Sequence, residues 1–210
     1  MLAVLQKIMS HVWPIKMAEY TSEHSGQLEL IMHRGQLLLD TQSANYSYGN
    51  LHHVMQAGIS HAIAKGIDCK KALILGFGAG DAAAILRKNY LNTQIDGVEL
   101  DPVVINIYQQ HFTNVGAQLH QGGALEYLES NELKYDIIIC DVFINLGKPS
   151  FTQTTEYYSL IKKALTTEGI FMQNGMGTKS EATAQFNVFA SIFPQAQMQK
   201  VLQSNYLYFS

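Results

Sequence analysis

Residues 72–81, with the sequence ALILGFGAGD, decide the fold of this chain. Their apolar first half is typical of a buried strand, and residues 81–90 continue with apolar positions at helical spacing. Between the two, Gly76, Gly78 and Gly80 are spaced G-x-G-x-G. Glycines let a chain turn sharply and bring backbone N–H groups close to a ligand at the start of a helix. The segment therefore predicts a strand, a ligand-binding loop and a helix.

Two acidic residues narrow the kind of ligand that this loop would bind. Asp81 stands where a dinucleotide-binding loop has its third glycine, and a carboxylate there would repel a phosphate but suit an amine or a sulfonium. Glu99 ends the next predicted strand, about 20 residues after the loop, where an acid accepts hydrogen bonds from both hydroxyls of a ribose. Asp101, followed by Pro102, fits a helix N-cap better than a ligand contact. The alternative for the loop is an ordinary tight turn.

Outward from this unit the chain alternates predicted strands and helices. Such alternation builds a parallel sheet covered by helices on both faces, with ligands over the carboxyl ends of its strands. Only two residues clearly separate the last two predicted strands. A connection this short makes the last strand antiparallel to the strand before it. The predicted fold class is α/β, a Rossmann-like class I methyltransferase fold with a seven-stranded sheet. Strands are expected at 72–77, 93–100, 117–122, 135–143, 169–176, 196–202 and 205–210, and helices at 50–65, 81–90, 102–112, 124–130, 154–165 and 180–193.

A separate piece precedes this pattern. Residues 27–39, QLELIMHRGQLLL, alternate around an Arg-Gly turn and predict a β-hairpin. Two short strands cannot bury both of their faces alone, so the hairpin suggests association with a second copy. We divide the chain into an N-terminal β-hairpin region at 1–49 and a Rossmann-like nucleoside-binding domain at 50–210.

Composition excludes several classes of protein. Charged residues make up only 15% of the chain, against roughly 25% in an average one. The net charge is −3, with no run of Lys or Arg, which disfavours nucleic-acid binding. No stretch reaches the ~18 apolar residues of a membrane span, and the start of the chain lacks the pattern of a signal peptide, so we expect a cytoplasmic protein. No residues have convincing metal-ligand spacing, and Cys69 and Cys140 fit the core of the protein.

Taken in order, the motifs resemble those of the polyamine aminopropyltransferases, or spermidine synthases, and their methyltransferase-like relatives. The resemblance covers about residues 26–176. The glycine loop alone is generic, but the ordered set is fairly specific. The matching segments are Leu39-Asp40, NYSYGN at 45–50, LILGFGAG at 73–80, VELDP at 98–102, YDIIICD at 135–141 and TEYYSL at 155–160.

This resemblance implies a nucleoside cofactor, S-adenosylmethionine or its decarboxylated form, and no metal. It places Glu99 on the ribose and adds Leu100, Gly123 and Ala124 to the predicted cofactor site of loop glycines and Asp81. Asp141 would take the proton from the attacking amine, which must be neutral to attack a carbon next to a sulfonium. The alternative for Asp141 is a structural acid at the end of a strand.

On the substrate side, Tyr46, Tyr48, His52 and Tyr157 are candidate contacts for a small-molecule acceptor. His52 could instead belong to a pair of histidines that only starts a helix, and Tyr157 could pack in the core or in a lid. The resembling family packs its N-terminal region between subunits, which implies a homodimer through the hairpin.

The chain departs from the family at four positions that usually carry carboxylates. A polycation in a partly desolvated groove needs compensating charge, at several kcal/mol per unpaired ion. Asp81 or Glu156 could supply part of it. The neutral residues at the four positions are Ala79, Gly123, Ile144 and Asn50.

These departures led us to expect methyl transfer to a small uncharged acceptor as the main function. Two alternatives stay open: a polyamine aminopropyltransferase whose acids come from elsewhere, and a binding protein that kept the fold and lost catalysis. A nicotinamide dehydrogenase is disfavoured by Asp81 and by the strand order.

Overall fold

The computed structural model describes residues 2–41, 50–143 and 147–210. The candidate substrate contacts Tyr46 and Tyr48 lie outside the described residues, and so do Ile144 and the side chain of Asn50. Within the described part no helix is long and apolar enough to cross a membrane. A cytoplasmic location stays a prediction.

The main body alternates strands and helices, as predicted. Asp101 caps α4 by accepting a hydrogen bond from the N–H of Val103, which confirms the N-cap interpretation. Strands are β4 Lys71–Leu75, β5 Gln94–Glu99, β6 Ala117–Gln121, β7 Tyr135–Cys140, β8 Leu165–Met176, β9 Gln197–Lys200 and β10 Asn205–Phe209. Helices are α2 Asn50–Ala64, α3 Asp81–Asn89, α4 Pro102–His111, α5 Ala124–Ser130, α6 Thr155–Ala164 and α7 Lys179–Ile192, with a 3-10 helix at Ser150–Gln153.

These seven strands form one sheet in the order β6-β5-β4-β7-β8-β10-β9. The strands from β4 to β8 pair in parallel, whereas β10 is antiparallel to both β8 and β9. The short connection from β9 to β10 explains the reversal, because a parallel return would need a long crossover. The predicted sheet and its reversed last strand are confirmed.

The N-terminal region is larger than the predicted hairpin. Helix α1 (Leu2–Met9) leads into β1 (Ile15–Ser22), which pairs with β2 (Gly26–His33), and β2 pairs with β3 (Gln36–Thr41). The hairpin of β2 and β3 forms as predicted. Its turn has φ 50° at Arg34 and 77° at Gly35, the left-handed conformations that a two-residue hairpin favours.

Strand β1 was missed because a β-bulge between Lys16 and Ala18 interrupts its alternation of polar and apolar residues. The division of the chain at residues 49 and 50 stays a prediction, since 42–49 lie outside the described residues.

The N-terminal sheet packs on α4. Leu28, Leu30 and Leu39 share a buried apolar cluster with Val104 and Ile107 of that helix. At the edge of this contact, the hydroxyls of Ser22 and Ser25 each donate to the Asp101 carboxylate at 2.5 Å. The residue that caps α4 therefore also ties the N-terminal sheet to the start of that helix.

Each face of the large sheet has its own core. Helices α2 and α3 cover one face with aliphatic side chains, and α5, α6 and α7 cover the other face with an aromatic core. That aromatic core includes Tyr157, Tyr158, Phe171 and Phe189, each fully buried. Both cysteines are buried and neither forms a disulfide, as predicted.

A polar network lies within the sheet around Asp96, which is 5% exposed. The hydroxyl of Tyr135 donates to its Oδ2 at 2.9 Å and meets the hydroxyl of Tyr127 at 2.7 Å. Lys71 Nζ lies 3.3 Å from the same Asp96 oxygen. The network thus links β4, β5, β7 and α5.

We expect Tyr135→Phe to lower the free energy of unfolding by about 1–3 kcal/mol, because it leaves buried hydrogen-bonding groups without a partner. Urea unfolding followed by circular dichroism measures the change. Tyr206→Phe is the matched control, since no hydrogen bond of the Tyr206 hydroxyl is found within the described residues. Equal effects of the two substitutions would contradict the assigned role of the network.

Candidate active site

The glycine loop is fixed by the strand ends on either side of it. The backbone N–H groups of Gly76 and Phe77 both donate to Val98 O at 3.0 Å, and Asp141 N donates to Leu75 O at 2.9 Å. Gly76 has φ 79°, and a Cβ there would lie 2.5 Å from Asp141 O. Only glycine fits at this point, where the ends of β4 and β7 touch.

Aromatic packing holds the remainder of the loop. The Phe77 ring lies so close to Gly97 of β5 that a Cβ on that glycine would overlap it. The same ring meets Tyr108 of α4 edge-on, with ring centroids 4.9 Å apart. Gly80 has φ 83°, and a Cβ there would lie 2.6 Å from the Tyr108 ring. The loop therefore enters α3 in one defined direction.

Glu99, at the end of β5, is hydrogen-bonded to the glycine loop. Its Oε2 accepts a hydrogen bond from Gly78 N at 2.8 Å, and its Oε1 accepts one from Asp101 N at 3.0 Å. Burial raises the pKa of this carboxyl, and the backbone donors offset part of the rise. Each carboxylate oxygen can accept a further hydrogen bond, which is what binding of a ribose diol would require.

Asp81 and His52 come together although 29 residues separate them in sequence. Asp81 is the first residue of α3, and its side chain is only 9% exposed. Its Oδ1 lies 2.8 Å from Nδ1 of His52, near the start of α2. Its Oδ2 is buried and has no hydrogen-bond partner among the residues that the structure describes. A buried carboxylate oxygen of this kind favours a cationic or hydrogen-bond-donating ligand.

Asp141 follows β7 and completes the group. Its Oδ1 accepts a hydrogen bond from Nδ2 of Asn174 on β8 at 2.8 Å. Burial raises its pKa to about 6, and the charges of Asp81 and Glu99 act in the same direction. Asn174 was not among the predicted site residues. Its only signal in the sequence is a polar residue near the end of an apolar strand.

We call Asp81, Glu99 and Asp141 the carboxylate cluster. In the described part of the chain, no Lys or Arg forms a salt bridge with any of the three. His52 is the basic side chain in contact. Because acidic charge is concentrated here, the cluster suits an organic cation. The described ranges contain no group of three or more His, Cys, Asp or Glu that could hold a metal ion.

The other predicted cofactor residues lie at the same edge of the sheet. Leu100, directly after β5, is 39% exposed. Gly123 precedes α5, and a Cβ there would overlap the carboxylate of Glu126 one turn on. Ala124 is buried beneath it. The carboxylate of Glu126 thus lies beside Gly123, which is itself neutral. The sequence analysis did not predict Glu126 as a site residue.

Two further positions have an explanation in the packing. Ala79 is buried in the apolar cluster between the N-terminal sheet and α4, where an acid would be left without water. Tyr157, a predicted substrate contact, is fully buried among Phe151, Tyr158 and Phe171. Its placement corrects that prediction in favour of the core-packing alternative, because an aromatic side chain in the core does not line the cleft.

Comparison with known proteins identifies the family. The model of the spermine/spermidine synthase domain matches residues 51–206. The chain belongs to the spermine/spermidine synthase family. A curated member of this family, the polyamine aminopropyltransferase of Vibrio vulnificus, is 28% identical over 142 residues, which are 65% of this chain and 48% of that protein. The chain spans about half the length, or less, of the first curated relatives that it matches.

Solved structures show the same fold for this family member. A probable spermidine synthase from Corynebacterium glutamicum superposes with a TM-score of 0.74 at 18% identity, covering 92% of this chain and 79% of that one. The spermidine synthase of Thermotoga maritima gives 0.71 at 16% identity, covering 92% and 71%.

Our main functional expectation, methyl transfer to an uncharged acceptor, was wrong. The family model and the curated relatives favour a polyamine aminopropyltransferase, which was our alternative. The physical reason lies in the acids. We gave the four missing carboxylates more weight than Asp81, which we had named as a possible replacement, and we did not predict the carboxylate of Glu126 beside Gly123.

Ionised Asp141 should lower the stability of this family member. Its folded pKa of about 6 lies above the ordinary 3.8, so the folded state disfavours the charge. The cost is small near pH 4, grows as the pH rises from about 4 to about 6, and stays constant at higher pH. Asp141→Asn keeps the acceptor for Asn174 and removes the charge, so we expect unfolding near pH 8 to cost about 2–3 kcal/mol more than in the wild type.

Urea unfolding at both pH values tests this expectation. Asp68→Asn, at a carboxylate that is 82% exposed, should change little at either pH. A gain from Asp141→Asn that is equal near pH 4 and near pH 8 would rule out ionisation as its cause.

Proposed function

We propose that this chain catalyses aminopropyl transfer from decarboxylated S-adenosylmethionine to a primary amine, the reaction class of the polyamine aminopropyltransferases. The observation that supports it is the carboxylate cluster, in which Asp81 interacts electrostatically with Asp141 and its Oδ2 has no hydrogen-bond partner among the described residues. Family membership supports the same reaction class. The acceptor, a small amine, enters as a cation and also suits acidic surroundings.

The charge of the cluster favours the decarboxylated donor. That donor has a sulfonium and a primary ammonium, whereas S-adenosylmethionine has a carboxylate in addition. Two like charges ~4 Å apart repel by about 4 kcal/mol at the effective dielectric of a protein surface. A carboxylate beside Asp81 and Asp141 is therefore disfavoured, and the ammonium of the decarboxylated donor is a fitting partner for Asp81 Oδ2.

Each of these residues then has its own role in the proposed reaction. Glu99 holds the ribose of the nucleoside, and Asp81, positioned by His52, holds the ammonium of the aminopropyl group. Asp141 accepts the proton of the acceptor amine, whose lone pair attacks the aminopropyl carbon next to sulfur. As the new C–N bond forms, the C–S bond breaks and its electron pair goes to sulfur, leaving neutral methylthioadenosine. Positioning supplies most of the acceleration in such a displacement.

Calorimetry and a transfer assay test this proposal together. The wild type should bind decarboxylated S-adenosylmethionine at least about tenfold more tightly than S-adenosylmethionine, and release methylthioadenosine when a primary amine is added. Asp81→Asn should weaken binding of the decarboxylated donor about tenfold or more, the loss expected when a charged hydrogen bond is removed. Glu126→Gln, measured in the same titration, shows whether the carboxylate near Gly123 contributes.

Asp68→Asn is the control, because it removes the same charge at an exposed position that precedes β4, whereas the loop follows the other end of that strand. Equal affinity for the two donors, or no methylthioadenosine with any of putrescine, spermidine and simple alkyl amines, would refute the proposal.

We also propose that the chain forms a homodimer through its N-terminal region. The support is an apolar surface on α1 and the residues that follow it. Ile8 is 63% exposed, Val12 88% and Trp13 76%, which is unusual for large hydrophobic side chains so close together. The surface is tied to the hairpin through Arg34 N, which donates to Ser10 O at 2.8 Å.

Light scattering at micromolar concentration should give twice the mass of one chain. The double substitution Ile8→Ser with Trp13→Ser should shift the protein to monomer without loss of helical signal. Leu91→Ser, at a hydrophobic residue that is 75% exposed elsewhere on the surface, should leave the dimer intact. A monomeric wild type would contradict the proposal.

A further inference from the structure

A cavity of about 310 Å³ opens beyond the carboxyl end of β8. It lies on the face of the sheet that α6 and α7 cover, whereas His52 and Asp81 belong to the helices on the opposite face. The residues that line it come from the end of β8, the start of α7 and the segment around the 3-10 helix. They are Gly147, Lys148, Gln153, Met176, Gly177, Glu181 and Gln185.

Lys148 places an ammonium group in this cavity. Its Nζ donates to Oε1 of Gln185 and lies 5.7 Å from the centre of the Tyr208 ring. Among the residues that the structure describes, no carboxylate forms a salt bridge with it. Burial lowers the pKa of this amine to about 8. An ammonium can donate three hydrogen bonds, so donor capacity remains for a ligand.

The neighbour of Lys148 is held in one orientation. Gln185 is 4% exposed, and its Nε2 lies 3.4 Å from Thr152 O and 3.3 Å from the Tyr158 hydroxyl. Its Oε1 also accepts from the Tyr208 hydroxyl at 3.4 Å. The amide therefore presents its oxygen to Lys148 and fixes the ammonium before any ligand arrives. Such support is typical of a built binding site.

The other charged lining residue, Glu181, is already engaged. Its Oε2 accepts hydrogen bonds from Thr178 N at 2.7 Å and Thr178 Oγ1 at 2.8 Å, which complete the capping box of α7. Those bonds hold its pKa below the ordinary value. The positive end of the α7 dipole partly offsets this negative charge. Glu181 and Lys148 attract each other electrostatically, but no salt bridge joins them within the described lining, so the ammonium keeps N–H groups for a ligand.

We propose that this cavity binds a small carboxylate, with Lys148 as its cation and Gln185 as the support of Lys148. A carboxylate would accept hydrogen bonds from the remaining N–H groups of the ammonium. Its negative charge would compensate for the hydration that the ammonium loses on burial. The carboxylate could belong to a free acid or to an amino acid whose ammonium faces the Glu181 side of the cavity. The inference does not depend on aminopropyl transfer, because it is tested by binding alone.

Ligand-observed NMR and calorimetry with three probes of equal chain length test the proposal. The probes are butyrate, 4-aminobutyrate and butylamine. We expect saturable millimolar or tighter binding of the two carboxylates and none of butylamine. Equal affinity for butyrate and 4-aminobutyrate identifies a free acid as the ligand, and at least tenfold tighter binding of 4-aminobutyrate identifies an amino acid.

Lys148→Gln should weaken binding of the carboxylates about tenfold or more, since it removes a charged hydrogen bond. Lys179→Gln is the control, because it removes the same charge from an exposed position at the start of α7. Far-UV circular dichroism checks that both variants are folded. The proposal is overturned if neither carboxylate binds the wild type, if Lys148→Gln leaves the affinity unchanged, or if Lys179→Gln weakens it equally.

Discussion

The close approach of Gly76 to the backbone of Asp141 is the constraint on which the site depends. Because no side chain fits between them, the end of β4 lies directly against the end of β7, and the hydrogen bond from Asp141 N to Leu75 O continues the sheet to this point. The loop then turns over β5 and contacts Glu99 through Gly78 N. Three acids from separate segments are thereby brought to one edge. The glycine is needed less for flexibility than for the short distance between two backbones.

Charged residues are scarce in this chain, so a group of three acids at one edge of the sheet identifies that edge as a candidate ligand site. Only 15% of the residues are charged, yet Asp81, Glu99 and Asp141 interact at one edge of the sheet. Burial and mutual repulsion raise the pKa of Asp141 to about 6, so a proton acceptor is available near neutral pH. Sites of this kind store unfavourable electrostatics that a cationic ligand relieves. The same energy that lowers stability in the empty site would strengthen the binding of any cationic ligand.

The sequence was sufficient for the fold but only partly sufficient for the site. Alternating periodicity, glycine spacing and one short connection predicted the large sheet, because these signals are local. Strand β1 was missed because a β-bulge interrupts its alternation of polar and apolar residues. The pairing of Asp81 with His52 and of Asp141 with Asn174 joins residues 29 and 33 positions apart, and such contacts follow from topology and side-chain direction, which the sequence does not display. The comparison of single positions with family motifs misled us for the same reason.

Packing explains why position 79 carries no charged side chain in this chain. Ala79 faces the apolar cluster formed by the N-terminal sheet and α4, so an acid there would lose its hydration without gaining a partner. Two residues later, Asp81 begins α3, where the helix dipole favours a negative side chain and His52 satisfies one oxygen. We therefore interpret the change from acid to alanine as linked to the way the N-terminal sheet packs on α4. In this chain the carboxylate belongs to the first residue of the helix rather than to the loop that precedes it.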